Sequence, residues 1–381
     1  MKKISSAIFL AALLVFINCK NNAGDAAGKG NDDKDSVKTF YESIINLGNG
    51  FIDVFNAFSG LVADTFFKSD PKKSDVKTYF ESISTTLTAT KSKLDGLVSA
   101  KKGEGDSGKA SVKSAVESAV SEVSGWLEEM IKAVEEAAKV GGDGGTDKIG
   151  DVGAANKGAK ADKDSVKGIA KGIKGIVAAA GKAFGKEGNA LKDVKEAAEN
   201  EANADAGKLF ASGNNAGAGA GDIGKAASAV TAVSGEQILK AIVDAAGDEK
   251  NQDGKKADEA TNPIAAAIGA DDAAANGFGN DGMKKSNDKI AAAIVLRGVA
   301  KGGKFAVAAN ADANNKASVK SAVESAVQKT FSALTGVVRK AVEAGLKKVA
   351  EVVQKQKSGP GKAAGDAKNQ DGVAAGGGSS S

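Results

Sequence analysis

The chain is 381 residues long, with 52 lysines and arginines against 48 aspartates and glutamates, no histidine and one cysteine. The missing histidine removes imidazole as general base, proton shuttle or metal ligand, and a single cysteine leaves no intramolecular disulfide. The near-balanced charge is carried almost wholly by lysine, with Arg297 and Arg339 the only arginines, which speaks against a nucleic-acid partner.

The N-terminus reads as an export signal. Lys2 and Lys3 precede an almost wholly apolar run from Ile4 to Ile17, too short for a comfortable membrane span of roughly 20 residues. The single cysteine, Cys19, follows at once. Phe16, Ile17 and Asn18 before it resemble a loose bacterial lipobox, in which the thiol is acylated and becomes the first mature residue. Residues 1–18 are therefore read as a signal peptide and Cys19 as the lipidation site. Its removal leaves 50 basic against 48 acidic residues. Residues 19–34 are polar, small and without period, which suits a tether from lipid to folded body.

The folded part is expected over residues 35–357. Val37, Tyr41, Ile44, Phe51, Phe55, Phe58 and Val62 recur at helical steps, and Pro71 ends that helix. A second helix from Ser74 carries Val76, Phe80, Ile83, Leu87 and Leu94 on one side. Seven of the 14 phenylalanines lie between Phe40 and Phe80, so these two helices should supply much of an aromatic core. A third helix, from Ser111 to Lys139, shows Val112, Val116, Ala119, Val123, Trp126, Ile131 and Val134. The longest, from Ala317 to Gln356, runs through Val323, Val327, Phe331, Leu334, Val338, Val342, Leu346 and Val349.

Between them lies an alanine- and glycine-rich half with shorter helices. Ser165 to Ala180 is one, and Ser234 to Ala246 is another, opened by a Ser234-x-x-Gln237 capping box. Asn262 and Pro263 form an N-cap with proline at the first helical position. Lys289 to Ala300, "KIAAAIVLRGVA", mixes bulky and small residues in a way that suits an interior. "KFAV", Lys304 to Val307, reads as a short strand. Four polar tracts read as loops: Gly141 to Ala161, Ser212 to Gly221, Gly247 to Thr261 and Gly269 to Gly282. Residues 358–381 have nothing to bury and read as a disordered tail.

Two internal repeats point to copied gene segments. "VKTFYESI" at Val37–Ile44 is nearly repeated as "VKTYFESI" at Val76–Ile83, and "KASVKSAVESAV" occurs unchanged at Lys109–Val120 and Lys316–Val327. Helix formation constrains residue types and does not by itself preserve twelve identities. No regular period accompanies them, so a solenoid is not implied.

Motifs for chemistry are weak. Gly103–Ala110 and Gly219–Ala226 both fit G-x-G-x-x-G, but Ala110 and Ala226 stand where a phosphate loop needs Ser or Thr for magnesium, and no predicted β-strand precedes either. Glu128, Glu129, Glu135 and Glu136 fall on the solvent side of their helix rather than in a paired-carboxylate site. No cofactor, metal or catalytic residue is assigned, and the chain reads as no enzyme.

Several long segments, in order, resemble the variable large proteins (Vlp, VlsE-like) of the spirochaetes that cause relapsing fever and Lyme disease. They are "NLGNGFIDVFNAF" (Asn46–Phe58), "KSDPKKSDVKTYF" (Lys68–Phe80), "DKDSVKGIAKGIKGIV" (Asp162–Val177), "AVSGEQILKAIV" (Ala232–Val243), "NPIAAAIG" (Asn262–Gly269) and "MKKSNDKIAAAIVLRGVAKGGKFAV" (Met283–Val307). The resemblance implies a mainly α, elongated helical bundle with long N- and C-terminal helices, displayed on the outer membrane through its lipid. It also implies antigenic variation by recombination, host antibodies as partners, and variable loops at the end away from the membrane. The alternative reading is an adhesin for host glycosaminoglycans or matrix.

Overall fold

The computed structural model describes residues 56–99, 107–141, 144–186, 188–213 and 217–357. Cys19, the signal peptide, the tether, most of the first expected helix and residues 358–381 lie outside them. The described residues form α1 (residues 56–66), α2 (Asp75–Ser99), α3 (Ser107–Gly141), α4 (Lys163–Ala183), α5 (Ala220–Ala232) and α6 (Gly235–Gly247). They continue as α7 (Pro263–Ile268), α8 (Asp281–Lys284), α9 (Asn287–Val299) and α10 (Ala313–Lys357). Among them there is no strand. Single-residue bridges and short 3-10 segments, including Glu201–Phe210, complete the chain.

The α2–α3 hairpin follows from its spacing. Val76, Phe80, Ile83, Leu87, Thr90, Leu94 and Leu97 are buried in α2, and Val116, Val120, Val123, Leu127, Met130, Val134 and Ala137 in α3. Both lines alternate steps of four and three, the seam of a coiled coil. Ser124 Oγ donates to Asp95 Oδ1 at 2.7 Å and Ser84 Oγ to Glu135 Oε1 at 3.5 Å, so the two helices run antiparallel. Trp126 and Ile131, expected on this seam, are only partly buried. A step of four from Val123 lands on Leu127, and the seam continues through Met130.

Three glycines, Gly168, Gly172 and Gly175, let α4 approach α3 closely; a Cβ on Gly168 would lie 2.8 Å from Val140 Cγ2. A Cβ on Gly172 would lie 2.4 Å from the Cβ of Ala137, and one on Gly175 2.8 Å from that of Ala133. No side chain fits between the two backbones there.

At 1.5 Å per residue the 45 residues of α10 span about 68 Å, which makes the body elongated. Its apolar line is buried from Val319 to Val349, as the sequence predicts. Phe331 meets Phe66 and Tyr79, each at a centroid distance of 4.8 Å, with Phe80 at 5.9 Å. Tyr79 donates its hydroxyl to Phe331 O at 3.1 Å and pairs with Thr335 Oγ1 at 2.8 Å. Gln328 Nε2 donates to Phe66 O at 3.0 Å, so the described end of α1 lies against α10. The twin twelve-residue repeats occupy α3 and α10 and bury the same face, Val116, Ala119 and Val120 in one and Val323, Ala326 and Val327 in the other.

Every residue of α9 except Lys289 is buried. It lies among α4, α5, α6, α7 and α10, the centre of the wider end of the molecule. The predicted caps form: Ser234 N donates to Gln237 Oε1 at 2.9 Å and Gln237 N to Ser234 Oγ at 3.2 Å, while Asn262 Oδ1 accepts from Ile264 N and Ala265 N.

Lys304–Val307 corrects the expected strand. The segment is buried at Phe305, Ala306 and Val307, but its backbone bonds go to several separate places. Phe305 N donates to Asp151 O, Lys304 N to Ala159 O, Ala306 N to Leu209 O and Val307 N to Asn156 O. Each neighbour supplies one or two partners, so the ladder that defines a strand never develops. The stretch from Gly188 to Gly213, for which the sequence suggests no element, is irregular until the 3-10 segment that seats Leu209 and Phe210 in the core.

Candidate functional site

Beneath the polar tracts two cations, Lys73 and Arg297, are buried. Lys73, in the turn between α1 and α2, sends its ammonium to the C-terminal end of α9. Nζ donates to Ala300 O at 2.6 Å, to Gly303 O, and to Arg297 O at 3.4 Å. Burial pushes this amine down to about 7, with Asp147 opposing the shift. Orphan carbonyls at a helix C-terminus favour a cation, so Lys73 caps α9 from another element.

Arg297 does the same for α7. Its Nε donates to Ala267 O at 2.9 Å, Nη1 to Phe210 O at 3.0 Å, and Nη2 to Ala266 O and Ile268 O at 3.3 and 3.4 Å. The guanidinium lies 4.7 Å from the centroid of the Phe210 ring and is lowered by burial to about 9. Gly269, at φ +74°, makes room: a Cβ there would sit 2.0 Å from Nη2. The fork is thus spent on backbone oxygens and is not available to an external phosphate or carboxylate.

Asp70 ties the same turn to two further elements. It accepts from Lys148 Nζ at 2.9 Å and from Lys320 Nζ, and Lys320 first, then Lys148, holds its carboxyl down to about 2. Lys73 N donates to Asp147 O and Ile149 N to Pro71 O, both at 2.8 Å. This turn staples the long helices to the first polar tract.

The polar tracts lie over this frame with two kinds of residue. In residues 247–261, Glu249, Lys250, Asn251, Asp253, Lys255 and Glu259 are exposed, while Gln252, Ala257 and Ala260 are buried. In residues 269–282, Asp271, Asp272, Asn276, Asn280 and Asp281 are exposed over buried Ala273 and Phe278. Surface charges pair locally, as Lys163 does with Asp253 and Lys160 with Asp271, both at 2.6 Å, and this disfavours a concentrated basic patch.

None of the chemical candidates assembles a reactive site. Glu128 and Glu129 are half-exposed and paired with Lys132 and Lys182. At the second glycine-rich motif, Asp222 Oδ2 accepts from Gly219 N at 2.9 Å and Oδ1 from Lys208 Nζ at 2.9 Å. The molecule's own carboxylate fills the slot a phosphate would need. Gly103 to Asp106 of the first motif lie outside the described residues. Among the described residues no group of three acidic or sulfur ligands is placed to hold a metal, and no helix is long and apolar enough to cross a membrane.

The Borrelia lipoprotein family model matches residues 51–353. The chain belongs to this family. It is 34% identical to variable large protein 4 of Borrelia hermsii over 370 residues, 93% of each chain. It is also 36% identical to variable large protein 17 of the same organism over 322 residues, 82% of this chain and 81% of that one. Its fold resembles the crystal structure of the Lyme disease variable surface antigen VlsE of Borrelia burgdorferi, with a TM-score of 0.68 and 50% identity. That match covers 83% of this chain and 99% of the other. The mainly helical, elongated body expected from the sequence is therefore a property the chain shares with this solved structure.

Proposed function

We propose that the protein is an outer-surface lipoprotein antigen, anchored through acylated Cys19 and exchanged for variants by recombination so that the host antibody response is evaded. Its partners are the outer membrane, through the lipid, and host antibodies. The domain plan is a signal peptide at 1–18, a lipidated tether at 19–34, the helical antigen body at 35–357 and a tail at 358–381. Enzymatic activity has no part in this reading.

The observation that carries it is the division of the polar tracts into exposed charged positions and a buried frame. Exposed residues such as Glu249, Lys250, Asp271 and Asp272 touch little of the core, so replacement there is cheap in stability. The inward faces of the α-helices and the Lys73 and Arg297 contacts are buried, so they tolerate little change. A surface that varies on a frame that does not is the physical requirement of an exchangeable antigen. The family relationship to proteins named as variable and as a variable surface antigen supports the same reading.

Two experiments test it. Cys19→Ser should leave the protein unacylated and release it from the membrane; a mutant that stays anchored overturns the lipidation assignment. Sequencing of this locus from isolates taken late in one infection should show changes concentrated at exposed positions of the four polar tracts. An unchanged locus would favour a fixed binding function instead.

A further inference from the structure

Two of the polar tracts meet at an asparagine–glycine step. Asn276 is exposed and lies in no regular element, and its Nδ2 donates to Asp258 Oδ2 at 2.8 Å. The other oxygen of that carboxylate, Oδ1, is buried and has no hydrogen-bond partner. Asn276 N donates to Ala274 O at 2.9 Å and Phe278 N to Ala204 O at 2.8 Å, while among the described residues no acceptor holds the N–H of Gly277 between them. Glycine also has no Cβ to shield that nitrogen from the side chain before it. A nucleophile, an amide carbon one residue away and a carboxylate beside the leaving nitrogen are thus gathered around one exposed side chain, with Gly277 and Asp258 half-buried beneath it.

We infer that Asn276–Gly277 is a self-modification site, at which the protein changes its own surface charge by deamidation. Gly277 N gives up its proton and bonds to Asn276 Cγ, the Cγ–Nδ2 bond breaks, and Nδ2 leaves as ammonia carrying that proton. Water then opens the resulting five-membered imide at either carbonyl, leaving aspartate or isoaspartate. No oxidant or reductant is involved. The departing nitrogen is the atom bonded to Asp258, so a carboxylate sits where positive charge gathers as ammonia forms. The product then sets a second carboxylate against Asp258 in place of a donor, and like charges that close repel. Deamidation therefore converts a bond between the tracts at 253–261 and 269–282 into a repulsion. The exposed surface changes without any change in the gene.

The test uses the full chain, held at physiological temperature and mildly alkaline pH and sampled over days by peptide mass mapping. Asn276 should convert with first-order kinetics to a mixture of aspartate and isoaspartate, ahead of asparagines not followed by glycine. The Asn276→Gln variant should lack these products at that position. Asn49–Gly50, the other such step in the sequence, and the urea-unfolded chain serve as references. An Asn276 that stays intact in the native protein while it converts in the unfolded chain overturns the site. The Asn276→Asp variant should speed amide exchange across residues 253–261, and exchange identical to wild type overturns the switch.

Discussion

Lys73 gives its three N–H groups to three carbonyl oxygens of the α9 C-terminal end, so an ammonium fits the site even though burial opposes its charge. The two effects set a measurable linkage. The native amine lies near 7 and the unfolded one near the ordinary 10.5. Between those values the unfolded chain holds a proton that the native chain has released, so stability rises with pH. The contribution is full above 10.5, falls as pH drops towards 7 and is level below that. Lys73→Met lacks this dependence. The difference between wild type and Lys73→Met in urea unfolding should therefore widen in favour of wild type from about pH 7 to about pH 9. A difference that does not move with pH would show that Lys73 keeps its ordinary affinity for the proton.

At the scale of elements, glycines with the same intrinsic cost play opposite parts. In the interior of α10, Gly336 has open space where a Cβ would be, so Gly336→Ala should stabilise by about 0.5–1 kcal/mol through backbone entropy alone. In α4, Gly172 faces Ala137, and Gly172→Ala should destabilise by about 1–3 kcal/mol as α3 and α4 are forced apart. Thermal melts of the two variants should shift in opposite directions, and a shift of the same sign would refute the close crossing. The aromatic seam joining α1, α2 and α10 centres on Phe331, which is fully buried. Phe331→Ala should cost about 3–5 kcal/mol, because rings from three elements cannot all collapse into the space left. A cost below about 1 kcal/mol in urea unfolding would mean that the seam repacks freely.

The whole molecule has a rod-like part, built on the α2–α3 hairpin and α10, and a wider part in which shorter helices surround α9. Burial of α9 on every side has a dynamic consequence. Its amides cannot reach water by local fraying, because α4, α5, α6, α7 and α10 all lie against it. Amide exchange in α9 should therefore occur only with global unfolding and follow its denaturant dependence, whereas residues 247–256 should exchange through small local openings. Rapid native-state exchange in α9 would contradict the fold. Antibodies against the intact protein should accordingly bind the exposed tract residues and not α9, a difference that competition with an α9 peptide would reveal.

The long helices were legible in the sequence because their signal is local. Apolar residues at three- and four-residue steps define a face whatever covers it, and the caps at Ser234 and Asn262 use neighbours within three residues. The burial of α9 was legible too, since a helix apolar nearly all round has no face to offer water. Other features depended on groups far away along the chain. Lys73 finds its acceptors more than 220 residues on, and nothing near it distinguishes it from the surface lysines. Arg297 turns inward because α7 and Phe210 bring four carbonyl oxygens to it. Phe210, Phe278 and Phe305 form a second aromatic group from three separate stretches outside the α-helices, with Phe210 5.5 Å from Phe278 and 5.9 Å from Phe305 between centroids. Lys304–Val307 has the composition of a strand, but the isolated partners around it prevent a ladder. The sequence alone determined most of the helices and which face each must hide, because helix hydrogen bonds and periodicity are short-range; α5 (Ala220–Ala232), rich in alanine and glycine, has too weak a period to be read that way. Only the tertiary structure decided which buried polar groups meet, because desolvation makes a lone cation or carbonyl costly wherever it lies and the partner that relieves it comes from another part of the chain.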